Sequence, residues 1–246
     1  MSVIQYIGIT EAGDPAFNLD IFDKLYDGNI IITKSLTDKL IEKLIENKDK
    51  CILHFTVTGH GGDILEPFVP TAEQSVKKFK KLIDNGFPIK QVVLRIDPII
   101  PTDKGTKKAL NVLEAFKEFG IERVRISFLD MYKHVKERFD EIGLKHPYED
   151  FHAPLIDRKL AFKQILNLSI ELGYGIVETC GEPNFPSTPC LSQKDVDILN
   201  LTDKVELKDN KGQRKTCGCP SNKKELIKKK PTPCQHKCLY CFWQSK

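Results

Sequence analysis

The 246-residue chain has no apolar run near the ~18 residues a helix needs to cross a bilayer, which excludes a membrane-spanning helix. It opens Met1-Ser-Val-Ile-Gln-Tyr6, without the basic stretch and long apolar stretch of a secretory signal, so a cytoplasmic location is expected. The patterns G-x4-G-K-[ST] and G-x-G-x-x-G are both missing, and nothing points to a P-loop or a dinucleotide fold. Internal repeats and low-complexity stretches are missing too. Cysteine is scarce over most of the chain: Cys51 stands alone before residue 180.

What is present is an ordinary globular composition, 40% hydrophobic and 29% charged, long enough for one well-buried domain with a small appendage. Short Val- and Ile-rich runs, bounded by Gly, Pro or Asp, read as buried parallel strands over 3–9, 30–33, 51–57, 91–97, 124–128 and 175–179. Helical patterns lie between them. One follows Thr37 as N-cap, with Leu40, Ile41 and Leu44 on one face. Thr71-Ala-Glu-Gln74 reads as a capping box opening a helix that stops at Asn85-Gly86. Two more end at Gly120 and Gly173, and a short one is expected over 193–199.

Six strands alternating with helices indicate an α/β architecture, compatible with a doubly wound sheet or a partial (β/α)6 barrel. The barrel is favoured because polar residues gather at the C-terminal strand ends, where such folds build their sites: Thr10-Glu11, Thr33-Lys34, Thr58–Asp63, Asp97, Asp130 and Glu178. Residues 1–180 would form the barrel and 181–246 a loop-rich extension over its mouth, too poor in apolar residues for a core of its own.

That extension carries the seven remaining cysteines, Cys180 to Cys241. In a reducing compartment such a cluster points to metal rather than disulfides. Cys234-Gln-His-Lys-Cys238-Leu-Tyr-Cys241 has the spacing C-x3-C-x2-C. Three thiolates this close can hold an iron–sulfur cubane with one iron left open. Zinc is the competing filling, although His236 inside the first spacing is an awkward fourth ligand. Cys180, Cys190, Cys217 and Cys219 would complete a second, closed four-thiolate site, with Gly218 allowing the tight turn between the last two. Cys51, in an apolar strand, reads as a small core residue.

C-x3-C-x2-C with an aromatic residue, Tyr240, before the last cysteine resembles the signature of the radical SAM superfamily. That resemblance implies a partial (β/α)6 barrel and a [4Fe–4S] cluster on Cys234, Cys238 and Cys241. The cluster would cleave S-adenosylmethionine reductively to a 5′-deoxyadenosyl radical, with a ferredoxin- or flavodoxin-type electron donor. The superfamily usually carries the motif after its first strand, whereas Thr10–Asp14 here contains no cysteine. The whole chain resembles an uncharacterised domain-of-unknown-function family with such a cysteine cluster at its C-terminus. The resembling segments are Thr58–Asp63, Leu94–Pro98, Ser127–Asp130, Gln213–Cys219 and the terminal motif. The resemblance also favours a second [4Fe–4S] cluster on Cys180, Cys190, Cys217 and Cys219, with structural zinc as the alternative. Gly61-Gly62-Asp63 resembles the superfamily's Gly-Gly-Glu element that binds the SAM amino group; equally, it reads as a turn with a capping Asp.

Arg95 and Asp97 alternate with Leu94 and Ile96 and should share the barrel's inner face, as should Arg125 and Ser127. Arg95 with Asp97 or Glu178 is either a structural ion pair or a hold on SAM; Lys34 is a further candidate. Residues 211–246 hold ten basic side chains and one acidic, +9, against −5 for the rest. They admit phosphate contacts, compensation of thiolate charge, or a solvated loop. Few aromatic residues stand among them to stack on bases. The competing function is therefore a non-catalytic, zinc-stapled protein whose basic tail binds nucleic acid or a protein partner.

Overall fold

The computed structural model describes residues 6–209, 216–228 and 234–243. Among the described residues seven strands form one parallel sheet: β1 (Ile7–Ile9), β2 (Asn29–Thr33), β3 (Cys51–Thr56), β4 (Val92–Ile99), β5 (Arg123–Phe128), β6 (Ile176–Thr179) and β7 (Lys223–Glu225). Their spatial order is β6-β5-β4-β3-β2-β1-β7. From β1 to β6 the order is the chain order, without the reversal a doubly wound sheet requires. β6 and β7 are the two edges and, among the described residues, do not pair with each other, which leaves the sheet open there.

Among the described residues six α-helices connect and cover the strands: α1 (Asp38–Glu46), α2 (Ala72–Asp84), α3 (Asp103–Phe116), α4 (Lys133–Glu141), α5 (Leu155–Glu171) and α6 (Gln193–Ile198). None is long and apolar enough to cross a membrane, among the described residues. Local chemistry sets their ends. Thr37 caps α1 through the Leu40 amide, and Thr71 and Gln74 form the capping box of α2. Gly120, at φ +67°, and Gly173, at φ +78°, take the left-handed turns that end the α3 and α5 segments.

The period-2 alternation of the strands sorts the sheet into two faces. Ile31, Leu53, Phe55, Leu94, Ile96, Val124 and Ile126 pack under the helices with Leu40, Leu44, Phe79, Phe116 and Ile165, and Cys51 is buried among them. On the other face Ile7, Ile9, Ile30, Ile52 and Val93 meet Leu191, Val196, Leu199, Cys190, Cys217 and Cys219 from the C-terminal third. That segment covers the inner face of the sheet and also supplies β7, paired in parallel with β1. Residues 3–5 of the first expected strand lie outside the described residues.

Candidate functional site

Above the apolar floor the inner face turns polar. Register pairs Arg95 on β4 with Arg125 on β5, and Arg125 with Glu178 on β6. Arg125 donates to Glu178 through Nε at 3.1 Å and Nη2 at 2.5 Å. Arg123 donates to Asp195 of α6 at 2.7 Å, and the same carboxylate caps that helix through Ser192. Arg95 holds Asp97 through Nε at 2.6 Å, and Ser127 donates to the other oxygen of Asp97. Burial would raise the Asp97 carboxyl, but Arg95, Ser127 and Lys34 hold it below its usual range. His54 on β3 sits among these arginines fully buried, with neither ring nitrogen bonded. Burial, reinforced by Arg125, Arg95 and Arg123, keeps it neutral, well below the usual imidazole pKa.

Cys180, directly after β6, meets Cys190 with 3.4 Å between sulfurs. The Cys190 amide donates to the Cys219 sulfur at 3.1 Å, and Cys217 hydrogen-bonds to Cys219. The second set is thus linked in a row, Cys180 to Cys190 to Cys219 to Cys217, while among the described residues no three of these sulfurs lie within 4.8 Å of one another. Hydrogen bonds from Cys180 and Cys219, then Arg95 and Arg125, pull the Cys190 thiol well below its usual pKa. Arg95 reaches Cys190 with Nη1 at 3.7 Å, so one guanidinium touches both Asp97 and this site. The Glu11 carboxylate lies within 4.8 Å of the Cys190 and Cys219 sulfurs and is paired with Lys223 at 2.8 Å. Among the described residues this is the one group with three potential metal-ligand atoms that close to one another.

The C-x3-C-x2-C segment follows β7 and is docked by buried polar contacts. His236 bonds Asp14 through Nε2 at 2.9 Å and the Phe68 carbonyl through Nδ1 at 3.1 Å, so neither nitrogen is free for a metal. Tyr240 donates to Glu66; Lys34 bonds that carboxylate at 2.8 Å and the Tyr240 oxygen at 3.0 Å, and Thr58 donates to Glu66 at 2.6 Å. Burial opposes both charges of this pair, yet their mutual attraction wins: the Lys34 pKa is raised and that of Glu66 lowered. The Leu239 amide donates to the Leu65 carbonyl at 2.9 Å, and Arg138 donates to the Cys241 carbonyl at 2.6 Å. Cys238 and Tyr240 are packed with Leu65, Leu129, Met131 and Phe139. Burial pushes the Cys238 thiol up to about 12.

Both cysteine sets open onto one cavity of about 990 Å³ at the C-terminal ends of the strands. Six of the seven late cysteines line it, all but Cys219, together with Arg95, Asp97, Lys34, Asp130 and Tyr240. Its outer wall is aromatic: Tyr132 and Phe242 lie 4.8 Å apart by ring centroids, beside Trp243.

Gly61, Gly62 and Asp63 do not line the cavity. Asp63 accepts from the Leu65 amide at 2.8 Å, bonds His60 at 2.8 Å and pairs with Lys108 at 3.3 Å. A Cβ on Gly61 would come within 2.0 Å of the Pro70 carbonyl, and Gly62 turns at φ +80°. This tight turn delivers Glu66 to Tyr240. Glu178 also lies below the cavity, spent on the arginines. Of the basic tail, Lys223 is paired with Glu11, Lys224 covers Tyr6, Lys237 covers Phe68 and Lys228 lines the cavity. Lys211, Arg214, Lys215, Lys229, Lys230 and Lys246 lie outside the described residues, as does Gln213.

Sequence reasoning missed Glu66, Asp195 and Glu182. Glu66 had a faint signal, a carboxylate inside the glycine-rich loop after the third strand. Glu182, which also lines the cavity, accepts from the Phe128 amide at 2.7 Å and from Arg158 at 3.3 Å. Burial pushes its carboxyl up to about 7.

Residues 24–243 match the family model described as "Domain of unknown function (DUF1848)", which covers most of the chain. The chain belongs to that family. No curated protein matches it.

Proposed function

We propose that this DUF1848 protein is a radical SAM-type enzyme, with Cys234, Cys238 and Cys241 as ligands of a SAM-reactive [4Fe–4S] cluster. The carrying observation is the position of the motif in the fold. β7 lies at the edge of the parallel sheet beside β1, and the chain leaving its C-terminal end carries the three cysteines into the cavity. In space the motif loop therefore follows an edge strand, as it does in the superfamily, although in sequence it comes last. A partial barrel extended by β7 beside β1 reconciles the resemblance with the missing cysteine after β1.

The donor set favours a cluster over a single ion. Two thiolates on one zinc at about 2.3 Å from the metal stand roughly 4 Å apart, whereas thiolates of a cubane sit on different irons and spread wider. Cys234, Cys238 and Cys241 do not form a group within 4.8 Å, among the described residues. His236, inside the motif, is engaged by Asp14 and Phe68. With three ligands, such a cluster would leave one iron open to a molecule bound in the cavity.

When bound, the cluster supplies the low-potential electron that cleaves SAM to methionine and a 5′-deoxyadenosyl radical. The chain's own residues position and shield. Glu66 and Lys34 fix Tyr240, and Arg138 fixes the Cys241 backbone. Arg95 and Asp97, the former charged and the latter held as carboxylate, face the cavity beside Lys34 and are placed to orient the charged ends of SAM. Tyr132, Phe242 and Trp243 restrict water at the mouth. Cys180, Cys190, Cys217 and Cys219 hold a second metal centre. The reading carries with it a reduced cytoplasm and a ferredoxin- or flavodoxin-type donor.

The test is anaerobic reconstitution with iron and sulfide, followed by dithionite and SAM. 5′-Deoxyadenosine is expected from the native chain and not from Cys238→Ala, whose far-ultraviolet circular dichroism stays native. An iron-loaded native chain that forms no 5′-deoxyadenosine overturns the assignment, as does a Cys238→Ala variant that still forms it. Stoichiometric zinc without iron would instead favour a non-catalytic binding protein.

A further inference from the structure

We infer that the second cysteine set binds a single divalent ion of the zinc class through Cys190, Cys219 and the carboxylate of Glu11, with the fourth coordination position facing the cavity. The inference rests on the reading that this set holds metal, and narrows it. It uses none of the three C-terminal cysteines and stands apart from the SAM reading.

Strand alternation brings the carboxylate to the sulfurs. Ile7 and Ile9 of β1 pack on the inner face with Cys190 and Cys219, and Glu11 lies two positions further along the same alternation. Its backbone is fixed by Glu225 of β7, which accepts the Glu11 and Ala12 amides at 2.8 and 3.2 Å. Cys219 belongs to the segment that leads into β7, and the Cys190 amide donates to its sulfur at 3.1 Å. Ligand atoms from three distant parts of the chain thus meet over the inner face, each within 4.8 Å of the other two.

Spacing and donor chemistry select these three. Tetrahedral zinc, with Zn–S about 2.3 Å and Zn–O about 2.0–2.2 Å, places neighbouring ligand atoms roughly 3.5–4 Å apart. Cys180 reaches Cys190 at 3.4 Å and Cys217 reaches Cys219, but neither completes a group of three sulfurs within 4.8 Å, among the described residues. Both are hydrogen-bonded neighbours of a ligand sulfur. The Glu11 carboxylate does complete the group. Carboxylate oxygen is a regular zinc ligand, whereas iron–sulfur clusters are held by thiolates.

The surroundings balance the charge. Two thiolates and a carboxylate on one dication leave a single negative charge. Lys223 donates to both Glu11 oxygens, at 3.0 and 2.8 Å, and Arg95 donates to Cys190 at 3.7 Å. An ionised carboxylate offers about four lone-pair sites, so Lys223 and an ion can share Glu11. Such outer hydrogen bonds orient a ligating carboxylate. Glu11 and Cys190 line the cavity and Cys219 does not. The ion therefore sits in the cavity wall, its remaining position open to water or to a donor atom of a cavity ligand, as in catalytic zinc sites.

The test uses the full chain, produced with iron and zinc both present and purified anaerobically, as the native protein, as Glu11→Gln and as Cys234→Ala/Cys238→Ala/Cys241→Ala. The triple variant isolates this site. Its zinc-edge X-ray absorption should show two sulfurs at about 2.3 Å and two lighter atoms at about 2.0–2.2 Å. A shell of four sulfurs removes Glu11 from the site and overturns the inference. A triple variant holding about four irons, with broad visible absorbance, overturns it too. If that variant does not fold, native protein without stoichiometric zinc overturns it equally. Glu11→Gln, with native far-ultraviolet dichroism, should hold zinc roughly tenfold or more weakly in competition with a chelator. Equal affinity removes the carboxylate ligand. Zinc in the mixed shell of a native chain that forms no 5′-deoxyadenosine would sink the SAM reading and leave this one standing.

Discussion

Tyr240 donates its phenol hydrogen to the buried carboxylate of Glu66, tying the residue between the last two cysteines to a loop 174 positions earlier. The bond explains how a segment with little apolar content of its own is held in a defined place against the sheet. It also makes the cysteine geometry depend on a loop that contributes no ligand.

Tyr240→Phe keeps the ring and its packing and removes one hydrogen bond, while Glu66 keeps Lys34 and Thr58. A loss of about 1 kcal/mol in chemical denaturation is expected, with native far-ultraviolet dichroism. A Tyr240→Phe chain as stable as the native one would mean that the bond is not formed in solution.

Glu66→Gln should cost more, on the order of 2–4 kcal/mol, because Lys34 is left charged and mostly enclosed without its counterion. Adding Lys34→Met should recover part of that loss. The double-mutant cycle, followed by urea denaturation, measures the coupling directly. Additive effects would show that the two side chains do not interact.

Glu178→Ala removes the carboxylate that faces Arg125 and Arg123 inside the sheet. Breaking a buried pair from one side leaves an uncompensated charge, so a loss of about 3–5 kcal/mol is expected. Lowered midpoint with an unchanged denaturant slope is the signature to look for. Unchanged stability would place water or an ion against the arginines instead.

His54 ties stability to acidity. Its folded pKa is held well below the ordinary imidazole value, first by burial and then by the neighbouring arginines. The native state therefore keeps His54 neutral while the unfolded chain takes up a proton. The associated stability is fully present above the unfolded pKa near 6.5 and declines as pH falls below it, by up to about 1.4 kcal/mol per pH unit. Other groups titrate too, so the informative quantity is the difference between native protein and His54→Leu at pH 7.5 and 5.5. The variant should lose less stability over that interval; an equal loss would mean that His54 is hydrated or already protonated.

The sequence by itself determined the elements whose signals are local. The α1 and α2 caps, the glycine stops at Gly120 and Gly173, and strands β2 to β6 follow from side-chain period and backbone preference within a few residues. It also marked the C-x3-C-x2-C triplet by its spacing and the other four late cysteines as the remainder. α4 went unseen because only Val135 and Phe139 mark its buried face within a highly charged segment. β7, Lys223–Glu225, went unseen because it has no apolar pattern; it exists through backbone pairing with β1, which only the folded sheet supplies.

Tertiary structure decided the rest. Which carboxylate meets which arginine on the inner face depends on strand register, and sequence left Arg95 with two possible partners that the fold resolved to Asp97, giving Glu178 to Arg125. Glu66, Lys34 and Tyr240 converge from three distant segments, and no local rule joins them. The open edge between β6 and β7 is likewise a property of strand order. Helix caps and strand periods are fixed by neighbours along the chain, whereas a site at the ends of parallel strands is assembled from residues that become neighbours only after the crossovers close.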